Sequence, residues 1–454
     1  MYFKQFYVGC LAHASYLIGD GGEAVVVDPA RDVQMYLDEA GAHGLRITTV
    51  LETHLHADFV SGHRELAART GATIAIGARA EAAFPHRALR EGDEVRVGQV
   101  RLRALETPGH TPESLCFLVF DPAAGESPWA ILTGDTLFVG DVGRVDILSS
   151  RLPVAELAGM MFDSVHRLLA LPDGTRVYPA HGAGSLCGRG IGAERWSTIG
   201  QERAMNPALR IADRARFVAE ITRDVPETPV YFLHSRDLNR AGPALKAGDA
   251  LPPALSPEQA EARVRAGAVL LDTRPVADYG AAHAPGALHV SLDGQFASWV
   301  GTLLTPDQPI VVIADRDRVE EAVTRLARVG YEQLAGVLAF DAWRAAGRPL
   351  NRTPQLEPRQ VLAGGRRILD VRRARELDAV RLENAIAIPL SQLPARLGEL
   401  DARAAWTVVC ASGYRSSIAA SVLERAGFTD VANAAGGIDA LRAAGVPLIE
   451  GAAA

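Results

Sequence analysis

Two imidazoles and a carboxylate fall within five residues in the stretch Thr53-His54-Leu55-His56-Ala57-Asp58-Phe59. Neutral imidazole and carboxylate are ligands for zinc or iron, and a His-x-His-x-Asp run on a loop aims several of them at one point. The apolar run at 48–51 reads as the buried strand from which this loop departs. The chain has 12 histidines in all, and three of them, His54, His56 and His63, lie within ten positions here.

Donor groups recur at other loop positions. Thr107-Pro108-Gly109-His110-Thr111-Pro112 holds a histidine in a turn stiffened by two prolines, Thr133-Gly134-Asp135 places a carboxylate after a buried strand, and Pro179-Ala180-His181-Gly182 does the same for an imidazole. A lone loop histidine is usually a surface or capping residue. Together His54, His56, Asp58, His110, Asp135 and His181 make six candidate ligands, for which a shared metal is the economical explanation.

A second kind of chemistry sits near the C-terminus. The apolar run at 406–409 leads into Cys410-Ala411-Ser412-Gly413-Tyr414-Arg415-Ser416, followed by a helical pattern over 417–425. A thiol at a strand end, before a tight loop and a helix N-terminus, faces converging backbone N–H groups, and Arg415 adds positive charge; both favour thiolate. Of the other cysteines, Cys116 reads as a small buried hydrophobe. Cys187, in the glycine-rich stretch after His181, reads as an exposed thiol near the metal, suited to relaying sulfane sulfur.

The elements that must carry these groups follow from periodicity. Runs at 15–18 and 24–28 flank Gly19-Asp20-Gly21-Gly22 and predict a hairpin. Helices are predicted over 33–42, 62–70 and 153–171, and strands over 73–76, 95–105 (broken by Gly98-Gln99), 114–120, 130–133 and 176–178. Residues 228–232 read as the end of this region, and 241–257, rich in proline, as a linker. Beyond it the chain repeats: Leu270-Leu271-Asp272-Thr273-Arg274 matches Ile368-Leu369-Asp370-Val371-Arg372, 98 positions apart. A period this long indicates two homologous domains, each with a parallel sheet covered on both faces. In the first copy Ile313 stands where Cys410 stands, so no nucleophile remains. The domains are therefore expected at 1–240, 255–350 and 355–454.

Bulk properties narrow the function classes. The chain has 454 residues, 48% of them hydrophobic, and a formal net charge of -7, which gives no electrostatic footprint for nucleic acid or anionic membrane. No apolar run approaches the ~20 residues needed to span a bilayer. Four scattered cysteines suit thiols rather than a disulfide framework, and the chain reads as cytoplasmic.

The order HLHAD, TPGHT, TGD, PAHG resembles the metallo-β-lactamase superfamily, an αββα sandwich with its ligands on loops at one edge of the sheets. TPGHTPESLCF, GDTLFVGDVGRVD and YPAHGAGSLCG resemble its persulfide dioxygenase branch. That resemblance implies one Fe(II) per chain, held by His54, His110 and Asp135, with zinc the less favoured metal. His56, Asp58 and His181 would then orient the ligands or add a further one, and Arg144 would bind the carboxylate of a thiol cosubstrate. Phe59 departs from the superfamily's dinuclear pattern, since it cannot ligate, and this disfavours hydrolysis by a metal-bridged hydroxide. Cys-x-x-Gly-x-Arg at 410–415 resembles the rhodanese active loop, with Cys410 and Arg415 as catalytic residues. After Glu376 the second copy lacks the His and Gly of the usual rhodanese stretch, which the first copy keeps as His283-Ala284-Pro285-Gly286.

The whole resembles the bacterial bifunctional persulfide dioxygenase-sulfurtransferases. This implies a low-molecular-weight persulfide, O2 and sulfite as small-molecule partners, thiosulfate as product, and a homo-oligomeric assembly. A zinc-dependent thioester hydrolase of the glyoxalase II type, with a sulfur-carrying tail, is the alternative.

Overall fold

The computed structural model describes residues 1–149, 151–223, 225, 228–229, 231–245, 251–363 and 365–451. The chain forms two compact units, Met1–Asp249 with Ala327–Gly330, and Ala250–Leu326 with Tyr331–Ala454. Part of the linker predicted over 241–257, residues 246–250, lies outside the described residues.

The first unit is built on two six-stranded sheets. β1 (Tyr2–Val8), β2 (His13–Asp20), β3 (Glu23–Val27), β4 (Arg46–Leu51), β5 (Thr73–Gly77) and β6 (Arg87–Leu89) lie side by side in chain order. β1 to β3 are antiparallel, as the predicted hairpin requires, and β3 to β6 are parallel. The second sheet uses β7 (Glu94–Val97), β8 (Val100–Glu106), β9 (Leu115–Phe120), β10 (Ala130–Gly134), β13 (Arg176–Pro179) and β14 (Ser197–Thr198), in the order β14-β13-β10-β9-β8-β7. A small hairpin, β11 (Leu137–Phe138) with β12 (Asp141–Val142), stands apart. Inward side chains of both sheets, among them Tyr16, Val25, Val27 and Leu51 from the first and Leu102, Phe117, Val119 and Leu132 from the second, form one buried cluster. Alternation along the strands puts these residues on one face, so the hydrophobic effect stacks the sheets and leaves the strand ends at their edge for function.

The helices α1 (Gln34–Ala42), α2 (His63–Thr70) and α3 (Val154–Leu168) occupy the predicted segments. Three more, α4 (Ile199–Met205), α5 (Arg214–Thr222) and α6 (Tyr231–Ala241), were not foreseen; α6 begins where the sequence suggested that the domain closes.

The second unit contains both repeats. In the first, β15 (Val269–Asp272), β16 (Leu288–His289), β17 (Ile310–Ile313) and β18 (Leu334–Leu338) form an all-parallel sheet in the order β16-β15-β17-β18. In the second, Gln355–Leu356, Arg367–Asp370, Ile386–Ala387, Trp406–Val409 and Val431–Ala434 form a parallel sheet, with Arg367–Asp370 between Trp406–Val409 and Ile386–Ala387. The repeat extends to side chains. Arg274 Nε and Nη2 donate to Asp272 at 3.0 and 2.6 Å, and Arg372 donates to Asp370 in the same way at 3.0 and 2.7 Å. Among the described residues no helix is long and apolar enough to cross a membrane.

Candidate metal centre and cysteine loop

The first candidate site lies on loops that leave the strands of the first unit. His54 follows β4, His110 lies between β8 and β9, and Asp135 follows β10. One ligand atom from each of the three lies within 4.8 Å of the others, and all three residues are buried. His110 Nε2 is 3.3 Å and His54 Nε2 is 3.9 Å from Asp135 Oδ2. His54 Nε2 and both carboxylate oxygens of Asp135 are buried without a hydrogen-bond partner. A buried carboxylate with no donor is costly unless a cation neutralises it, so the donor set fits a metal ion.

Outer contacts fix which nitrogens face that point. His110 Nδ1 donates to the Arg144 carbonyl at 2.8 Å, leaving Nε2 with its lone pair. Thr53 Oγ1 donates to Asp28 Oδ2 at 2.8 Å and therefore accepts from His54 Nδ1–H at 2.9 Å, which leaves His54 Nε2 free in the same sense. Burial, then the neighbouring imidazoles, hold His54 well below the usual histidine range, so it is neutral and able to ligate. Asp28 itself adopts φ +52°, a strained conformation of the kind found at functional sites.

The other sequence candidates lie beside this trio and also offer ligand atoms within 4.8 Å of one another. His56 Nε2 stands 3.1 Å from Asp28 Oδ1 and 3.4 Å from Glu52 Oε2. Burial opposes its charge, but Asp28 and Glu52 prevail and raise it to about 9. Burial raises Glu52 to about 8. His181 Nε2 is 3.4 Å from Asp58 Oδ2 and 3.6 Å from Asp135 Oδ1, and His56, Asp58 and His181 form a second buried cluster. Phe59 is fully buried, with ring centroids of His13 and His56 at 4.1 and 4.4 Å.

One expectation changes. Cys187 is buried and not exposed; one ligand atom each of Asp135, His181 and Cys187 lie within 4.8 Å of one another, and burial pushes the thiol well above its ordinary value. Glycine-rich sequence suggested an exposed loop; Ala183 and Gly184 are exposed, but Cys187 turns inward and its carbonyl accepts from Arg144 N. The Arg144 fork, expected to take a substrate carboxylate, meets Asp146 through Nε and Nη2, both at 2.7 Å, with Nη1 donating to the Leu186 carbonyl. These contacts tie the loop carrying Arg144 to the Cys187 loop.

Asn239 on α6 had no sequence signal. Its side chain accepts from Ser61 N and donates to the carbonyls of His56 and Phe59, each at 2.8 Å, so it holds the histidine loop from outside. His13 and Glu52 also escaped notice, since neither belongs to a motif.

In the second unit, Cys410 follows the strand Trp406–Val409 and is fully buried. Gly413 takes φ +92°, a conformation open to glycine, and caps the helix Tyr414–Arg425. Its N–H donates to Cys410 Sγ at 3.1 Å, and Ser416 Oγ donates at 3.3 Å. Arg415 makes a fork with Glu376 at 2.7 and 2.6 Å. At the equivalent place of the first copy, Ile313 is buried and the 3-10 turn Arg316–Arg318 follows.

The sequence profile described as Metallo-beta-lactamase superfamily matches residues 8–181, and that described as Rhodanese-like domain matches residues 256–346 and 357–444. The chain is 30% identical over 206 residues to the Persulfide dioxygenase ETHE1, mitochondrial, of Mus musculus, covering 44% of this chain and 72% of that one. It is 32% identical over 226 residues to a Hydroxyacylglutathione hydrolase of Methylobacterium sp. (strain 4-46), covering 42% of this chain and 83% of that one. A solved metallo-beta-lactamase from Staphylococcus aureus subsp. aureus COL shares 35% identity and superposes with a TM-score of 0.67, covering 74% of this chain and 99% of that one. A buried metal-ligand cluster at the edge of two stacked sheets, followed by a doubled parallel-sheet unit with one cysteine loop, places the chain in the metallo-beta-lactamase superfamily, with rhodanese-like domains in its C-terminal half.

Proposed function

We propose that the protein is a non-haem Fe(II) persulfide dioxygenase joined to a sulfurtransferase. The observation that carries this reading is the presence, in one chain, of a buried two-histidine, one-carboxylate trio and a cysteine cradled for sulfur transfer. His54, His110 and Asp135 would hold the iron, which would supply redox chemistry toward O2. The reaction balances as RSSH + O2 + H2O → RSH + sulfite + two protons. At the second site, a persulfide on Cys410 gives its outer sulfur to sulfite: the S–S bond breaks, a new S–S bond forms in thiosulfate, and the cysteine leaves as thiolate. The hydrogen bonds from Gly413 and Ser416 stabilise that leaving thiolate. The pathway this serves is sulfide detoxification.

The chain's own residues hold the metal donors in place. The Asp28–Thr53–His54 chain and the Arg144 carbonyl fix the ring tautomers, and Asn239 holds the loop. Cys187, next to His181 and Asp135, could relay sulfur in this reading only after losing its proton, which its burial opposes.

The similarity to hydroxyacylglutathione hydrolases favours a second reading, zinc-dependent thioester hydrolysis with a sulfur-carrying tail. Metal analysis of anaerobically purified protein, with persulfide-dependent oxygen uptake and thiosulfate yield, separates the two. About one iron per chain with oxygen uptake is expected; two zincs, thioester turnover and no uptake would overturn the proposal. Cys410→Ser should abolish thiosulfate formation and spare oxygen uptake.

A further inference from the structure

The cysteine-free rhodanese copy keeps a histidine that the cysteine-bearing copy has lost, and the structure shows what it touches. His283 Nδ1 donates to the Tyr279 carbonyl at 2.9 Å, and its Nε2 lies 2.8 Å from Glu424 Oε2. Glu424 is on the helix Tyr414–Arg425, whose first turn carries the donors that meet Cys410. Its other oxygen accepts from Thr353 Oγ1 at 2.6 Å.

A second histidine of the first copy grips the same helix nearer its N-terminus. His289 Nε2 donates to the Arg274 carbonyl at 3.0 Å, so its Nδ1, 2.8 Å from Ser417 Oγ, accepts from that hydroxyl. The backbone N–H of His289 donates to Ser421 Oγ at 3.0 Å. Tyr279 is stacked between the two imidazoles, with centroid distances of 3.9 and 4.2 Å and interplanar angles of 9° and 17°, which locks both rings. At the front of the helix, Tyr414 Oη donates to the Ser291 carbonyl at 2.8 Å, and its ring lies against Gly294, where a Cβ would approach within 2.5 Å.

Residues 414, 417, 421 and 424 recur at helical spacing and so share one face. The first copy grips that face along its length. The sulfur of Cys410 depends on the same helix, through Gly413 at its cap and Ser416 in its first turn. A shift of even ~1 Å would carry both donors out of hydrogen-bond range.

We propose that the cysteine-free copy completes the sulfurtransferase site: His283 and His289 are positioning residues that fix the helix Tyr414–Arg425, and through it the Gly413 N–H and the Ser416 hydroxyl at the Cys410 sulfur. Each copy has kept what the other lost, so neither holds a working site alone. The inference rests on the sulfurtransferase reading of Cys410.

The test uses the full chain with His289→Ala, Ser417→Ala, both together, and Tyr414→Phe, which removes a hydroxyl only. Three quantities are measured: sulfur transfer from thiosulfate to cyanide, the pH profile of Cys410 alkylation by iodoacetamide read by peptide mass spectrometry, and thermal unfolding. Each single variant should lower kcat for sulfur transfer by about fivefold or more and move the alkylation profile to higher pH, as expected when hydrogen bonds to a thiolate weaken. The His289 and Ser417 losses should not multiply in the double variant, since they remove one contact. Variants that lower the melting temperature but leave both kcat and the alkylation profile unchanged would overturn the inference, as would fully multiplicative losses. A Cys410→Ser protein that still transfers sulfur would instead overturn the underlying reading, so the two failures are distinguishable.

Discussion

Replacing Thr53 by valine removes one buried hydroxyl at nearly constant volume and tests how the metal site is held. That hydroxyl accepts from His54 Nδ1–H at 2.9 Å and donates to Asp28 Oδ2 at 2.8 Å. Valine leaves the imidazole N–H facing a methyl group, an unsatisfied buried donor that costs about 1–3 kcal/mol of stability. It also releases the tautomer, because His54 is no longer obliged to keep its proton on Nδ1 and its lone pair on Nε2. Loss of such an outer partner weakens metal binding by about 10- to 100-fold, equivalent to about 1.4–2.8 kcal/mol of binding free energy. The pocket leaves little room for relaxation: Gly134, at φ +52°, lies so close that a Cβ there would stand 2.7 Å from Thr53 Oγ1. Thr53→Ser keeps the hydroxyl and should bind metal nearly as the parent does. Competition with a chelator of known affinity gives the dissociation constant, and the rise in melting temperature on adding metal gives a second measure by linkage. A valine variant that binds as tightly as the parent, with the serine variant weakened, would refute the relay.

Three further outcomes are expected. Asn239→Ala strips three buried backbone groups of their partner; a loss of about 3 kcal/mol or more, and faster proteolysis within 53–63, should follow, and an unchanged denaturation midpoint would exclude that clamp. His289 is depressed by burial to about 4, so its contribution is complete above its unfolded value of about 6.5 and is lost as pH falls toward 4, amounting to about 3 kcal/mol. Melting curves between pH 7.5 and 5 should therefore fall less steeply for His289→Gln than for the parent. Glu376→Gln breaks the fork with Arg415; since that pair is partly exposed, a modest loss of kcat/KM for sulfur transfer, within about tenfold, is expected with no change in oxygen uptake.

The parts of the fold legible in the sequence were those with a period and a punctuation mark. The hairpin before Asp28, the strand leading to His54 and the repeat around Asp272 and Asp370 each combine apolar alternation with a turn or an ion pair that recurs. α6 lacked such marks, and a proline at its entrance made residues 228–232 look like an ending. The six metal candidates were legible because donor residues at strand ends have few other reasons to cluster. Their outer partners were not, because Thr53, Asn239 and Asp28 become distinctive only when chains distant in sequence meet. Cys187 was misjudged for the opposite reason: glycines signal backbone freedom, yet here they let the chain fold inward.

Phe59 and His56 bear together on how many ions the site can hold. A catalytic zinc ordinarily takes three protein ligands, and a second ion beside the trio would draw on Asp58, His181 and a share of Asp135. His56 is the remaining imidazole of that cluster, but it stands at ion-pair distance from Asp28 and Glu52 and is raised to about 9. An imidazolium has no lone pair to give. Phe59, which offers no donor atom, packs its ring against His56. Cys187 is within reach of Asp135 and His181, and burial raises its thiol well above the ordinary value. For His56 to join a second ion it would first have to release the proton that holds it to Asp28 and Glu52. The trio of His54, His110 and Asp135 asks for no such proton release, because its donor atoms converge with His54 already neutral.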